Sequence, residues 1–328
     1  MLKKILESIK KNFGFIIFFA ILLFLLTFEL PYSISKTGGI IDLSKRIQSE
    51  NDIEESGSFN MAYVTEVRPT IVNVIISLLN PNYDLEKIQK TTESEEEMNF
   101  RGKISLQESM NNALKVAYHK ANLSYLETNQ KIIVTYLFEE ADTDLKVGDE
   151  ILTIDNMKVN QKADINTILQ KKSENEVVTV EVQNHNKTYK RTATLKKIEN
   201  KIIIGMVVAE VSDLKLDPEV TIDFKKSESG ASGGLMMTLA IYDNLTGADI
   251  TKGRKIVGTG TIDTNGDVGE ISGIKYKLKA AIKNKADIFL VPAEDNYKEA
   301  IKIKEKNNYH IIIVPIKNFE DALEYLKK

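Results

Sequence analysis

The chain contains no cysteine, and this absence excludes disulfide bonds, a cysteine nucleophile and thiolate metal sites. Histidine is scarce as well. His119, His185 and His310 lie far apart and form no HExxH motif, so a zinc peptidase of that type is not expected. A GxxxxGK[ST] motif is also missing, which argues against an ATPase of the P-loop type. We therefore predict that the protein uses neither a cofactor nor a bound metal ion.

The sequence also lacks an excess of positive charge. It has 44 basic and 47 acidic residues, and its formal net charge is −3. Binding of nucleic acid through bulk charge requires a basic protein or a basic patch, so no nucleic-acid partner is predicted. A length of 328 residues is sufficient for two or more domains.

One long apolar run is present, close to the N-terminus. Four lysines among the first eleven residues precede residues 13–28, which carry no charge. A helix of that length reaches roughly 24 Å, short of the ~30 Å hydrocarbon core of a bilayer, and Leu30 and Tyr32 extend it. A cleaved signal peptide and a buried core helix are the alternatives, but the run ends in "FELPYS" without an A-x-A cleavage pattern. We expect a transmembrane anchor over residues 13–30 behind a cytoplasmic tail over residues 1–12.

The lysines before this run predict a cytoplasmic N-terminus. The predicted location is therefore the cell membrane, crossed once, with everything after residue 32 outside the cell and the cytoplasmic membrane as a partner.

Residues 31–126 are expected to be an extracytoplasmic segment of linker, strands and helices that packs with the C-terminal domain over residues 199–328. Its predicted elements, in chain order, are a turn at Gly38–Gly39, a strand over 58–67, a charged loop over 91–102 and a helix over 105–121 capped by Ser105.

Residues 127–198 contain several short predicted strands, as expected of a small β-rich domain. The stretch "DTDLKVGDEILTIDNMKV", residues 142–159, has a glycine that permits a tight turn into an apolar strand and an Asp-Asn pair that turns the chain back. A helix is predicted over 163–172. Together these features resemble a PDZ domain, a fold that binds extended peptides by adding a strand to an open sheet edge. Another small β-rich domain with a hairpin at this place is the alternative.

Residues 199–328 are predicted to form an α/β domain, and its most unusual stretch is "SESGASGGLMMTLAIYD", residues 227–243. Ser232 stands before a run that is apolar on every side, as expected of a buried helix over 232–242. A serine at such a place commonly caps the helix. The surrounding glycines favour a second interpretation, a nucleophile, because they allow a substrate backbone to approach and leave amide groups to hold an oxyanion.

A serine nucleophile needs a base, and the best candidate lies in "GEISGIKYKLKAAIKNKAD", residues 269–287. At about 100° per residue, Lys277 lies beside the apolar stripe of this predicted helix, whereas Lys275 and Lys279 lie about 200° away. A solvated side chain is the ordinary alternative for a lysine. Only about 1 lysine in 2,500 is neutral at pH 7, but burial lowers a lysine pKa by up to ~3–5 units. Lys277 can therefore act as a base only in a dry pocket.

These residues resemble the motifs of Lon-type peptidase domains. "SGASGGLMMTLAIYD" is similar to the G-P-S-A-G motif of that family, and "ISGIKYKLKAA" is similar to its I-G-G-x-K-x-K motif. The resemblance implies that Ser232 is the nucleophile and Lys277 the general base, with Thr259 beside them to orient the lysine. No cofactor or metal ligand is implied.

This sequence departs from the family pattern at three small residues. Ala231 stands where the family usually has proline, Gly233 where it usually has alanine, and Ser272 replaces the first glycine of the lysine motif. All three changes exchange small residues or relax a turn, so we expect activity to survive them.

The order of anchor, PDZ domain and Lon domain resembles the membrane-anchored, ATPase-free PDZ–Lon serine peptidases of Gram-positive bacteria, including the pheromone-processing type. The predicted fold class is α/β (α+β), with an N-terminal transmembrane helix, a PDZ domain and a C-terminal Lon-type domain. The predicted function is an ATP-independent serine endopeptidase that cleaves peptides or exported proteins, and the resemblance allows a homo-oligomer. The alternative is a surface peptide-binding module in which the Lon-like fold is only a scaffold.

Overall fold

The computed structural model describes residues 10–49, 56–80, 83–87 and 93–328. Its helices are α1 (Phe13–Thr27), α2 (Ile71–Leu79), α3 (Glu95–Lys120), α4 (Lys162–Leu169), α5 (Gly234–Thr246), α6 (Ile274–Lys283), α7 (Asp295–Asn307) and α8 (Phe319–Lys327). Its strands are β1 (Tyr32–Asp42), β2 (Ile47–Ser49), β3 (Ser58–Val67), β4 (Tyr83–Lys87), β5 (Tyr125–Leu137), β6 (Glu150–Ile154), β7 (Met157–Lys158), β8 (Val177–Asn184), β9 (Lys187–Thr194), β10 (Lys196–Ile198), β11 (Lys201–Ile203), β12 (Met206–Leu216), β13 (Val220–Ile222), β14 (Lys255–Gly258), β15 (Thr261–Ile262), β16 (Val268–Gly269), β17 (Ile288–Pro292) and β18 (Ile312–Ile316). The α/β class predicted for the C-terminal part is confirmed.

The larger of two compact units comprises Ile40–Ala62 and Thr91–Lys328, and parallel strands form its centre. Strand β14 pairs in parallel with β3 and with β17, and β17 pairs in parallel with β18. All five residues of β17, "IFLVP", are buried, which is typical of a parallel strand covered on both faces.

Alternate residues of β14 point to opposite faces of this sheet. Ile256 belongs to the apolar cluster that contains α5, whereas Val257 belongs to the cluster that contains α6. The two helices therefore cover opposite faces, and the end of β14 at Gly258 lies between the starts of both.

A second sheet in this unit has the strand order β12-β5-β6-β8-β9, with β7 paired to β6. Its pairs are antiparallel, and it has an apolar core of its own, drawn from residues 132–208. Helix α4 contributes Ile165, Ile168 and Leu169 to that core, as the predicted helix over 163–172 requires. The sheet also includes β12, which begins at Met206, beyond the predicted end of this domain at residue 198. The predicted domain boundaries stay a prediction.

The smaller unit comprises Met1–Gly39 and Tyr63–Lys90. In its described part, β1 pairs antiparallel with β4, and α1 lies beside α2. The predicted turn at Gly38–Gly39 is wrong, because strand β1 runs through both glycines. A Cβ atom at Gly38 would lie 2.5 Å from the carbonyl oxygen of Tyr63, so close backbone approach explains the glycine.

The predicted transmembrane helix over residues 13–30 is wrong. Within the described ranges, no helix combines the length and the apolar character that a membrane crossing requires. Helix α1 has 15 residues, which is about 22 Å at 1.5 Å per residue. The chain becomes extended at Phe28 and enters β1 at Tyr32, so Leu30 and Tyr32 do not lengthen the helix. The predicted location of the catalytic domain is not tested and stays a prediction.

The predicted loop over 91–102 is wrong from residue 95 onward, because helix α3 starts there. The Ser94 hydroxyl accepts a hydrogen bond from the Glu97 amide at 3.2 Å, and the Ser94 amide donates to Glu97 Oε2 at 2.7 Å. This reciprocal capping box satisfies two amide groups at the helix start. Ser105, the predicted cap, lies inside the helix.

Candidate active site

Ser232 lies in the turn that leads into α5, and it does not cap that helix. The capping residue is Gly233, without a side-chain hydrogen bond to the helix. The Ser232 hydroxyl makes no hydrogen bond to any described residue, and Ser232 is only partly buried. Within the described residues, the amide groups of Ser232 and Gly233 also donate no hydrogen bond. A free hydroxyl therefore stands next to two free amide donors at the start of a buried helix.

Glycine is required at Gly234 because backbone atoms lie very close to it, whereas the close neighbour of Gly233 is a flexible side chain. A Cβ atom at Gly234 would lie 2.7 Å from the amide nitrogen of Ile262 and 2.9 Å from Ser109 Oγ. A Cβ atom at Gly233 would lie 2.5 Å from the sulfur of Met61. The turn is thus held tightly against β15, α3 and β3.

Thr259 connects the serine turn to the lysine helix. It follows β14 directly and is fully buried. Its hydroxyl donates to the Ser232 carbonyl oxygen at 3.0 Å, and the amide of Gly260 donates to the same oxygen at 2.8 Å. These two hydrogen bonds fix the backbone of Ser232 at the end of a central strand.

Lys277 is buried in α6, with 4% of its surface exposed. Its Nζ donates to Thr259 Oγ1 at 3.1 Å. Burial lowers the pKa of Lys277 to about 8, because the ammonium loses its hydration. At that pKa roughly one lysine in ten is neutral at pH 7. The predicted burial of this lysine is confirmed.

The structure thus brings Ser232, Thr259 and Lys277 together. No direct hydrogen bond joins Lys277 Nζ to Ser232 Oγ among the described residues, so two hydrogen bonds through Thr259 connect them. A partly neutral amine, a free hydroxyl and two amide donors are the groups that acyl transfer requires. The catalytic roles of Ser232 and Lys277 stay predictions.

Helix α3 also holds the serine turn, which the sequence did not indicate. The Ser109 hydroxyl donates to the Ala231 carbonyl oxygen at 3.0 Å, and the Gly230 amide donates to the Gly102 carbonyl oxygen at 2.8 Å. The only signal for these contacts is the spacing of Gly102 and Ser109 by seven residues, which places both on one helix face.

Solved structures similar to this chain include the PDZ domain of an SdrC-like protein from Listeria monocytogenes. It is 17% identical and covers 25% of this chain and 90% of that chain, with a TM-score of 0.22. A likeness at this TM-score supports no conclusion, so the PDZ domain over residues 127–198 stays a prediction.

Two Lon proteases are similar over a short stretch. The Lon protease of Brucella suis is 33% identical over 98 residues, which is 30% of this chain and 12% of that protein. The Lon protease of Neorickettsia sennetsu is 30% identical over 99 residues, again 30% of this chain and 12% of that protein. The matched part of the chain therefore spans about 12% of the length of these relatives.

A family model described as the Lon protease (S16) C-terminal proteolytic domain matches residues 143–327. The matched range is more than half of the chain and contains Ser232, Thr259 and Lys277. It begins within the segment predicted to be a PDZ domain. The finer resemblance to the PDZ–Lon peptidases of Gram-positive bacteria stays a prediction, apart from the transmembrane helix, which is wrong. The chain belongs to the family of Lon protease (S16) C-terminal proteolytic domains.

Proposed function

We propose that this protein is a serine endopeptidase that cleaves peptides or unfolded proteins with Ser232 as nucleophile and Lys277 as general base. The observation that carries this proposal is the buried, partly neutral amine of Lys277, linked through Thr259 to the backbone of a free serine. Membership of the Lon proteolytic family supports the same chemistry.

The proposed reaction moves one proton back and forth. The neutral Lys277 Nζ takes the proton of the Ser232 hydroxyl while Oγ bonds to the scissile carbonyl carbon. The amide groups of Ser232 and Gly233 receive the oxyanion. Lys277 then returns the proton to the leaving amine as the C–N bond breaks, and it activates a water molecule that hydrolyses the acyl-enzyme. A rotation of the Lys277 side chain from Thr259 toward Ser232 Oγ is the movement this step needs.

We further propose that no ATP is used and that residues 127–198 select the substrate. The absence of a GxxxxGK[ST] motif supports the first point, so a substrate has to arrive unfolded, short or with an exposed loop. For the second point, β9 is an edge strand of the sheet in this segment within the described residues. An extended peptide can add to such an edge.

The location outside the cytoplasmic membrane and a homo-oligomeric state stay predictions. Fractionation of intact cells, followed by protease treatment of the surface, tests the first. Light scattering of the purified chain tests the second.

Two single substitutions test the proposed function. We expect Ser232→Ala and Lys277→Ala each to reduce cleavage of casein by at least about a thousandfold, because each removes a group that acts in the chemical step. The measurement is the release of new N-termini, with circular dichroism to show that the fold is retained.

The matched controls are Ser229→Ala, an exposed serine three residues earlier, and Lys279→Ala, two residues further along α6. Both should cut casein like the parent. Parent-like cleavage by Ser232→Ala or Lys277→Ala would refute the proposed dyad, and a parent that cuts nothing would favour the peptide-binding alternative.

A further inference from the structure

A groove of about 500 Å³ lies between helix α3 and the segment that follows β13. Its apolar wall includes Leu106, Met110 and Phe224, and three lysines line it as well, namely Lys103, Lys225 and Lys226. We call this feature the lysine groove. Lys103, Leu106 and Met110 recur at helical spacing, so they present one face of α3 to the groove.

The groove carries an excess of positive charge. The three lysines are exposed, and none of their ammonium groups has an ion-pair partner among the residues described. Glu228 is the acidic residue of the lining, but its carboxylate is already engaged. Arg46 Nη2 donates to Glu228 Oε1 at 3.0 Å, and the Lys225 amide donates to Oε2 at 2.7 Å.

The groove lies next to the serine turn. Glu228 precedes Ser232 by four residues, and an extended chain of that length spans at most about 14 Å. Helix α3 forms the opposite wall and holds the turn through the hydrogen bonds from Ser109 to Ala231 and from Gly230 to Gly102. A substrate chain at the end of the groove formed by Glu228 and Lys103 would therefore lie within about four residues of the bond attacked by Ser232, since an extended substrate has the same length per residue.

We propose that the lysine groove binds an extended substrate segment that carries an acidic side chain within about four residues of the scissile bond. The inference rests on the proposed peptidase function and adds a substrate class to it. The aliphatic and aromatic wall accepts an apolar side chain of the same segment, and the unpaired lysines attract its carboxylate. Neutral segments bind more weakly there, and basic segments are repelled.

A peptide series tests this inference with the full chain. Cut sites are first mapped in casein, and one cut peptide is made with all acidic residues replaced by their amides. A single glutamate is then placed at each of four positions on either side of the cut bond. We expect glutamate at one or more positions to raise kcat/KM about two- to fivefold over glutamine, the range of exposed charge pairs. This gain should shrink at about 0.5 M salt, where the Debye length is short.

Charge reversal identifies the groove as the cause. In Lys225→Glu/Lys226→Glu, and independently in Lys103→Glu on the other wall, the preference for glutamate should disappear or pass to lysine. The matched control is Lys302→Glu/Lys306→Glu, two exposed lysines of α7 that do not line the groove, and it should keep the parent's preference.

Three outcomes separate the two proposals. If the parent cleaves the series without preferring glutamate, the inference about the groove is overturned and the peptidase function stands. A glutamate preference that survives both groove variants also overturns it, because another surface must then recognise the acid. If the parent cleaves no peptide of the series and no casein, the peptidase function itself fails.

Discussion

Lys277 combines a charged side chain with a buried position and a neutral partner. Its Nζ donates to the hydroxyl of Thr259, and burial is the cause that lowers its pKa. A carboxylate at the place of Thr259 would stabilise the ammonium and raise the pKa again. The neutral hydroxyl of Thr259 hydrogen-bonds the amine without favouring its protonated form as strongly as a carboxylate would. The amine can therefore be neutral and accept a proton.

The pH dependence of cleavage should report this pKa. Only the neutral amine accepts the proton of Ser232, so kcat/KM should rise with pH and level off above a midpoint near 8, the lowered pKa of Lys277. Below the midpoint the rate should fall about tenfold per pH unit. The measurement is kcat/KM for a neutral peptide between pH 6 and about 10.

Thr259→Asp supplies the comparison, because a carboxylate beside Nζ favours the ammonium. A carboxylate cannot donate to the Ser232 carbonyl oxygen as the Thr259 hydroxyl does, so kcat/KM should also fall at every pH. In that variant the midpoint should move to higher pH. A parent profile that is flat from pH 6 to about 9 would contradict the role of Lys277 as the base.

The position of Lys277 could be predicted from the sequence because helical periodicity alone decides which lysine of α6 faces the apolar side. The contacts of Met61 and Ser109 could not. Met61 lies in β3 and Ser109 in α3, and both are far from residue 232 along the chain. Only tertiary packing brings Met61 and Ser109 to the serine turn. The sequence carries no signal for the contact of Met61, and for Ser109 it offers only the spacing of seven residues from Gly102.

A further prediction concerns the start of α5, where Gly233 and Gly234 have different neighbours. A methyl group at Gly234 meets the backbone of Ile262 at 2.7 Å, whereas one at Gly233 meets the thioether of Met61 at 2.5 Å. Backbone cannot yield, but a methionine side chain can turn away. We expect Gly234→Ala to cost about 1–3 kcal/mol of unfolding free energy and to reduce cleavage strongly.

Gly233→Ala should be close to neutral in the parent, and it should add no cost to Met61→Ala, which by itself should lose about 2–5 kcal/mol because it leaves a cavity in the core. Chemical denaturation of both glycine variants, of Met61→Ala and of Gly233→Ala/Met61→Ala beside the parent measures the difference. Equal losses for Gly233→Ala and Gly234→Ala would show that the turn as a whole, rather than the Ile262 backbone, resists a side chain.

Two elements show where local pattern misled the prediction. The acidic residues in the first turn of α3 look like a loop, yet Ser94 and Glu97 have the S-x-x-E spacing of a capping box, and negative charge is favourable at a helix start. Gly38 and Gly39 look like a turn, yet they lie inside β1 because Tyr63 packs over them. The capping box could therefore have been predicted from the sequence. The extended conformation of Gly38 and Gly39 could not, because it depends on Tyr63 in the neighbouring strand β3.

In the described part of the larger unit the buried apolar side chains form three separate clusters, and their arrangement decides where the candidate site lies. Two of them cover opposite faces of the sheet that holds β14 and β17, with α5 in one and α6 in the other. Ser232 lies in the turn that leads into α5, Lys277 lies in α6, and Thr259 connects them at the end of β14. The third cluster belongs to the antiparallel sheet of β5, β6 and β8 and contributes no residue to the site.

This separation predicts different effects for two matched substitutions. Ile154 in β6 and Ile256 in β14 are both 0% exposed, and each change to alanine should remove about 2–5 kcal/mol of stability from its own cluster. For Ile154→Ala we expect faster amide hydrogen exchange in the antiparallel sheet and a kcat/KM for a short peptide within about twofold of the parent's. For Ile256→Ala we expect faster exchange in α5 and α6 and a clear loss of cleavage, since β14 carries Thr259.

Exchange measured peptide by peptide with mass spectrometry distinguishes the two cases. If Ile154→Ala loosens α5 and α6 as much as β8, the clusters unfold as one cooperative unit and the site depends on the antiparallel sheet after all.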